Sequence, residues 1–364
     1  MTSSTTLLLL AALGALACGD AAGPVRFGMA GPFDEGFGAA NQRGAELAVA
    51  EINAAGGIGG DSLLLEFAND SGDGARAAEV AQGFVDSTYI SAVVGHVTSG
   101  AMLAAAKVYD GHLAAVATTA SSATLTGISP WAFRVISSDS ANGVDLARFA
   151  KRLGKRRVVI LYENDEYGRG LAENFQRNFD GEVVGVEPIG SVGGHAPLYM
   201  EWISQRRPDL VFIAGTERTG MAMLREARRQ NVTADFLGSD GWTGIVADTA
   251  ASEGALVGAP FTALDPRPAA QRFVKAYTAR FASEPDGNAA LAYDAVKLLA
   301  TAVGRVGRDR AKIRDWLAAL QSEGAYQGVT GPISFLPTGD PVGKAFTMTR
   351  VVRGRLTVAE RGTP

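Results

Sequence analysis

Apolar and polar residues alternate along the chain in blocks that predict strands and helices in turn. The stretch "VRFGMAGP" is a short apolar run that ends near Gly31, as a buried strand does, whereas residues 42–57 carry apolar positions at helical spacing and stop at two glycines. The pattern then predicts a strand after residue 62, a helix over 75–85, a strand over 90–95, a helix over 100–109 and a strand over 113–117. The same order resumes with strands over 158–162, 183–188, 210–214 and 236–238, separated by helices, and three further helices follow between residues 269 and 320.

Strands that alternate with helices indicate an α/β fold, in which parallel sheets carry helices on both faces. Two such series predict two doubly wound, Rossmann-like domains, and the first break between them falls near residues 133–143. Short strands near residue 333 and over 346–352 and 356–359 close the chain.

The composition is that of an ordinary soluble protein large enough for two cores. The chain has 364 residues, of which 47% are hydrophobic and 20% charged, with a formal net charge of −4. Neither this charge nor any basic stripe favours nucleic acid as a partner.

The N-terminus has the character of an export signal. Residues 7–18, "LLLLAALGALAC", are apolar, too short to span a bilayer and end in small residues before Cys18. Cys18 is the only cysteine, so no disulfide can form within the chain. Its position suggests lipidation after cleavage, and ordinary secretion with cleavage nearby is the alternative. We therefore assign residues 1–23 to a signal peptide with a lipidation site and a short tether.

Ligands of open α/β sheets gather beyond the carboxyl ends of the strands. The sequence places hydroxyl, aromatic and acidic side chains there, within 33–37, 69–70, 96–99, 118–122, 137–139, 164–167, 216–217 and 239–242. A helix that begins near Ser99 would offer unpaired N–H groups and a hydroxyl to a carboxylate, although Thr98 or Ser99 could simply be its N-cap. Asp240 could hold an ammonium group, and Asp139 is a further candidate ligand-binding residue, although either could instead cap a helix.

The sequence gives little support to an enzyme. "GRGLAE" at Gly168 lacks the last glycine of the dinucleotide fingerprint, and "GHVTSG" is not a nucleophile elbow. His96, His112 and His195 have no metal-ligand spacing, and we interpret them as structural. We expect no cofactor and no metal.

Several motifs resemble those of leucine/isoleucine/valine-type (type I) periplasmic binding proteins of ABC transporters. They are, in the same order, "GMAGPFDEGFGAANQRGAELAVAEINAAGGIGGDSLLLEFAND", "VVGHVTSG", "FRVISSDSANG", "VVILYENDEYGRGLAENF", "PDLVFIAGTERTGMAMLREAR", "FLGSDGW" and "GVTGPISFLPTGD". The resemblance covers residue 25 to about 343. It implies two α/β lobes joined by three crossover hinge strands, with the N-terminal lobe at 24–138 plus 262–331 and the C-terminal lobe at 139–261 plus 332–364.

The resemblance also implies roles for individual residues. Ser99 stands where the family binds the ligand α-carboxylate, Thr119 and Ser121 where carboxylate and ammonium are held, and Asp240 where an acid takes the ammonium. Tyr167 matches a tyrosine of the second lobe, and Phe37 an aromatic of the side-chain pocket.

One position departs from the family pattern. Thr216, followed by Glu217, stands where receptors for aliphatic amino acids often carry tyrosine, so the side-chain specificity is open.

The sequence thus predicts an extracytoplasmic receptor that is not an enzyme. It would trap an amino acid, of branched-chain type or related, between hinged lobes and deliver it to an ABC permease, with Cys18 as its membrane anchor. A regulator that senses an amide or organic acid with the same fold is the alternative. A hydrolase on the same scaffold has the least support.

Overall fold

A computed structural model describes residues 23–190 and 195–359, and within them the chain folds into two α/β lobes. The first lobe is built on a five-stranded sheet in the order β2-β1-β3-β4-β5, in which every pairing is parallel. Its elements are β1 (Val25–Gly31), α1 (Gly36–Ala54), β2 (Leu63–Asn69), α2 (Gly74–Asp86), β3 (Ile90–Val94), α3 (Ser99–Tyr109), β4 (Ala115–Ala117) and β5 (Ala132–Arg134).

The second lobe is built on a seven-stranded sheet in the order β14-β13-β10-β9-β8-β6-β7. Strands β6 to β10 pair in parallel, and the last two strands add an antiparallel edge. Its elements are α4 (Asp139–Arg152), β6 (Arg157–Glu163), α5 (Glu166–Asn178), β7 (Glu182–Ile189), α6 (Ala196–Arg206), β8 (Leu210–Ala214), α7 (Glu217–Arg229), β9 (Asp235–Gly238), α8 (Thr249–Ser252), β10 (Leu256–Ala259), β13 (Thr347–Val352) and β14 (Arg355–Val358).

Between β10 and β13 the chain returns to the first lobe. The returning elements are α9 (Pro268–Phe281), α10 (Gly287–Val306), α11 (Arg310–Ala318), β11 (Tyr326–Gly328) and β12 (Gly331–Ile333). Apolar residues of α9, α10 and α11 join those of β1 and β3 in one hydrophobic core, and α10 packs along α1. The chain therefore passes between the lobes three times, after β5, after β10 and after β12.

Hydrophobic side chains cover both faces of each sheet, as the alternating pattern requires. In β3, Ala92 and Val94 enter the core beneath α10, whereas Ile90 and Val93 face the helices α2 and α3. The doubly wound class predicted from the sequence is therefore confirmed.

The exact lobe boundaries stay a prediction. Ile333 and Phe335, which follow the predicted boundary at residue 331, contribute to the core of the first lobe, whereas Val351 and Leu356 contribute to that of the second. The predicted export signal and Cys18 lie outside the described residues.

Candidate functional site

A cavity of about 560 Å³ opens between the two lobes, at the carboxyl ends of both sheets. Its walls combine five segments of the first lobe with the strand ends of the second. The residues that line it are Pro32, Glu35, Phe37, Ser71, Gly72, Val97, Thr98, Ser99, Gly100, Thr119, Glu163, Asn164, Asp165, Glu166, Tyr167, Ile189, Gly190, Thr216, Arg218, Asp240, Gly241 and Asn288. Another cavity, of about 440 Å³, lies beside the amino ends of β9 and β10 and contains none of these residues.

The start of α3 forms the floor of the cavity on the first lobe. No side chain caps this helix: Thr98 at the cap position has extended backbone angles, and its buried hydroxyl has no hydrogen-bond partner among the described residues. The first helical bond runs from the Met102 N–H to the Thr98 carbonyl at 2.9 Å, so the N–H groups of the first turn are free to bind a ligand. Unpaired N–H groups and the helix dipole make an electrically neutral site for a carboxylate.

The Ser99 hydroxyl does not cap the helix either, because it accepts a hydrogen bond from the Ser122 N–H at 3.1 Å. This bond fixes the hydroxyl-rich loop 118–122 beside the helix start. Within that loop, the Thr119 hydroxyl donates to the Val97 carbonyl at 2.9 Å and the residue lines the cavity. Ser121 is fully buried behind the wall and does not line the cavity.

An acidic centre faces the helix start from the second lobe. Asp240 follows β9 and begins a short 3₁₀ turn rather than capping an α-helix, and its carboxylate accepts hydrogen bonds from Tyr167 and Ser239, both at 2.9 Å. Burial raises the pKa of Asp240 to about 6. Burial also raises the pKa of the Tyr167 hydroxyl well above its usual value, as does the negative charge of Asp240, so the tyrosine is a neutral donor.

Asp139 lies beside this centre without lining the cavity. Ser138 caps α4, and Asp139 occupies the first turn of that helix with its carboxylate fully buried. Its pKa is raised well above the ordinary value by burial and by the negative charge of Asp240. Two neighbouring buried carboxyl groups favour a cation in front of them.

A third group of side chains lines the cavity beyond the acidic centre. Thr216 follows β8 and donates to an oxygen of Glu163 at 2.7 Å, and Thr219 donates to the same oxygen. Glu163, the last residue of β6, was absent from the residues predicted from sequence. Phe37, in the first turn of α1, lies on the opposite wall.

Glu217 does not line the cavity but lies where the lobes meet. A Cβ atom on Gly36 of the first lobe or on Gly244 of the second would overlap the Glu217 carboxylate. Burial, together with the negative charges of Asp286 and Glu35, raises the pKa of Glu217 to about 7.

Direct hydrogen bonds join the lobes around the cavity mouth. Glu166 accepts from the Thr124 hydroxyl at 2.8 Å and the Ser122 hydroxyl at 3.3 Å. Arg218 pairs with Glu35 at 3.0 Å, and the Asn288 amide donates to Thr243 at 3.1 Å. The described arrangement therefore brings the two walls of the cavity together.

The buried His96 has a structural environment. Its Nδ1 lies 2.6 Å from Asp70 and its Nε2 2.9 Å from the Tyr109 hydroxyl, and all three side chains are inaccessible to solvent. This network holds the loop that precedes α3. Among the described residues, no group of three His, Cys, Asp or Glu side chains is placed to hold a metal ion.

The structure thus brings six of the eight predicted site residues to one cavity, namely Phe37, Ser99, Thr119, Tyr167, Thr216 and Asp240, while Ser121 and Asp139 lie behind its walls. Their roles in ligand binding stay predictions.

Comparison with known proteins gives a consistent result. A family model described as "Periplasmic binding protein" matches residues 24–355. An amino acid binding protein of Pseudomonas aeruginosa is 31% identical over 311 residues, which cover 80% of this chain and 82% of that protein. The Leu/Ile/Val-binding protein of Citrobacter freundii is 27% identical over 328 residues, 87% of each chain.

Solved structures agree over almost the whole described fold. The branched-chain amino acid transporter substrate binding protein LivJ from Streptococcus pneumoniae, in complex with isoleucine, superposes with a TM-score of 0.86 at 28% identity, covering 93% of this chain and 99% of that one. An ABC transporter substrate-binding protein from Desulfitobacterium hafniense, in complex with leucine, gives a TM-score of 0.79 at 30% identity, covering 92% and 100%.

Proposed function

The chain belongs to the periplasmic binding protein family, and on this basis we propose that it binds an α-amino acid between its lobes and delivers it to an ABC importer. The family consists of solute receptors rather than enzymes, and membership implies an extracytoplasmic location. Relatives named for binding amino acids support the ligand class, as do the two similar structures in complex with isoleucine and leucine.

The observation that carries the proposal is that an anion-binding site and a cation-binding site face each other across one cavity. The uncapped start of α3 offers N–H groups to an α-carboxylate, and the buried acids around Asp240 offer negative charge to an α-ammonium. Because the two sites belong to different lobes, one zwitterion bridges them and holds the lobes together. The closed form would then dock on the permease.

Calorimetric titration with amino acids tests this function. We expect at least one amino acid to bind, and we expect Asp240→Ala to weaken it by two orders of magnitude or more, since truncating a buried charged partner costs roughly 2–5 kcal/mol. The same amino acid converted to its α-amide should also bind far more weakly, because the amide lacks the charge for which the helix start is suited. Unchanged affinity in Asp240→Ala would remove that residue from the site.

We further propose that a lipid on Cys18 holds the receptor at the membrane. The supporting observation is the apolar segment 7–17 that ends directly before this sole cysteine. No helix within the described ranges is long and apolar enough to cross a bilayer. Fractionation should find the wild-type protein with membranes and Cys18→Ala in the soluble fraction, whereas equal distribution would contradict anchoring.

A further inference from the structure

The cavity wall carries more negative charge than one α-ammonium group would neutralise. Five carboxylates line it, against a single guanidinium among the described lining residues; the acids are Glu35, Glu163, Asp165, Glu166 and Asp240. Three of the acids have other roles: Glu35 pairs with Arg218, Asp165 caps α5 by accepting from the Gly168 N–H at 2.7 Å, and Glu166 joins the lobes. Asp240 is proposed to bind the α-ammonium group. Glu163 is therefore the lining carboxylate that has no assigned role.

Glu163 is held in a fixed orientation. The hydroxyls of Thr216 and Thr219 both donate to its Oε1, and both threonines belong to the segment that begins α7. Within the part of the chain that the structure describes, no donor reaches its Oε2. The side chain is thus a pre-oriented carboxylate on the wall with hydrogen-bonding capacity left for a ligand.

The sheet order sets the spacing between Glu163 and Asp240. Asp240 follows β9 and Glu163 ends β6, and β8 lies between these two strands. Neighbouring strands are about 4.8 Å apart, so the two strand ends stand roughly 10 Å from each other. A four-carbon stem such as that of lysine suits this separation when its two nitrogens each meet a carboxylate.

We propose that the preferred guest is an α-amino acid whose side chain ends in an ammonium or guanidinium group, bound by Glu163. This inference rests on the proposed function and specifies its substrate class. The terminal cation makes a charge-assisted hydrogen bond to the oriented carboxylate and offsets the negative charge of the wall. An aliphatic side chain would instead enclose the Glu163 Oε2 oxygen without a hydrogen-bond donor, which disfavours such a ligand.

Lysine and norleucine test the proposal, because they share a four-carbon stem and differ at its terminal ammonium. Calorimetry of the wild-type receptor at neutral pH should show lysine bound about a hundredfold or more tightly than norleucine, in line with sites built to bind a polar substrate group. Glu163→Gln should lower the affinity for lysine by about thirtyfold or more and leave that for norleucine equal or improved. Glu173→Gln, which removes an exposed carboxylate of α5, is the matched control and should change neither affinity.

The outcomes separate this inference from the proposed function. Norleucine or leucine binding as tightly as lysine overturns the cationic preference but leaves an amino-acid receptor, whereas no binding of any amino acid overturns both. An unchanged lysine-to-norleucine ratio in a folded Glu163→Gln variant removes Glu163 as its cause. If that variant does not fold, the wild-type ratio alone decides the preference.

Discussion

At the scale of single residues, the acidic centre makes ligand affinity depend on pH. Burial raises the pKa of Asp240 to about 6, and burial together with the negative charge of Asp240 also raises the pKa of its neighbour Asp139. A raised carboxyl pKa means that the empty site takes up a proton as the pH falls through this range, and a protonated site no longer attracts an ammonium group. Affinity should therefore be full above about pH 7 and should decline as the pH falls below 6.

Glu217 has a pKa of about 7, so its titration has to be eliminated by mutation before the pH dependence caused by Asp240 can be measured. Its pKa of about 7 indicates that the ionised form is disfavoured where the lobes meet, so protonation at lower pH favours closure and opposes the effect of Asp240. In the Glu217→Gln variant, we expect the dissociation constant to rise by about tenfold per pH unit below 6, the slope for one linked proton. Calorimetric titration between pH 5 and 8 measures this change in the dissociation constant.

The control for this pH dependence is Asp240→Asn in the same background. This variant should bind the amino acid weakly at every pH, and its dissociation constant should not rise comparably as the pH falls. A flat affinity profile between pH 5 and 7 in the Glu217→Gln receptor would argue against Asp240 as the group that meets the ammonium.

At the scale of elements, the close approach of α1 and α10 depends on Gly44. A Cβ atom there would lie 2.0 Å from the backbone oxygen of Ala289, an atom that cannot move without its helix. Gly44→Ala should therefore separate the helices and lower the free energy of unfolding by about 1–3 kcal/mol. Urea unfolding of the purified receptor measures this change.

Gly83 provides the matched substitution. It lies on α2 with no atom within 4 Å of an added Cβ, so Gly83→Ala should raise stability by about 0.5–1 kcal/mol through helix propensity. If both alanines change stability in the same direction, close packing at Gly44 does not determine the effect.

The elements also show how far the sequence could predict the site. The apolar runs located the strands, and the rule that ligands gather at their carboxyl ends gave the candidate segments. Within these segments the family resemblance indicated most of the eight predicted residues, and six of the eight line one cavity. Glu163 was missed because the apolar run stopped at Tyr162, one residue before β6 ends, and the candidate segment began at Asn164. Its hydrogen bonds with Thr216 and Thr219 form because β6 and β8 are neighbours in the sheet, and strand order cannot be inferred from hydrophobic periodicity.

The cap of α3 illustrates a second limit. A hydroxyl at a helix start is compatible with both capping and ligand binding, and local sequence does not distinguish them. The role of the Ser99 hydroxyl depends on Ser122, which lies 23 residues away and whose N–H donates a hydrogen bond to that hydroxyl. The position of Ser121 behind the wall also depends on distant residues, because its carbonyl accepts hydrogen bonds from Arg134 and from the Asp139 N–H, and its role in ligand binding stays a prediction.

At the scale of the whole molecule, binding is coupled to the contacts between lobes. Glu166 of the second lobe accepts from Thr124 and Ser122 of the first, at the edge of the cavity. These bonds exist only when the lobes are together, so they stabilise the closed state whatever ligand it contains. A change in the equilibrium between open and closed states multiplies the apparent affinity for every ligand by the same factor.

Glu166→Ala should therefore weaken all ligands alike. Loss of hydrogen bonds to a carboxylate costs about 1.5–3 kcal/mol when they are buried and less at an exposed edge, so we expect a decrease of about tenfold. The ratio of affinities for two ligands such as lysine and norleucine should not change, in contrast to Glu163→Gln, which alters that ratio. Small-angle scattering of the ligand-free variant should show a more extended average shape than that of the wild type. A ligand-dependent loss of affinity would instead mean that Glu166 contacts the ligand, and Arg218→Ala, which removes the ion pair with Glu35 between the lobes, would then test closure.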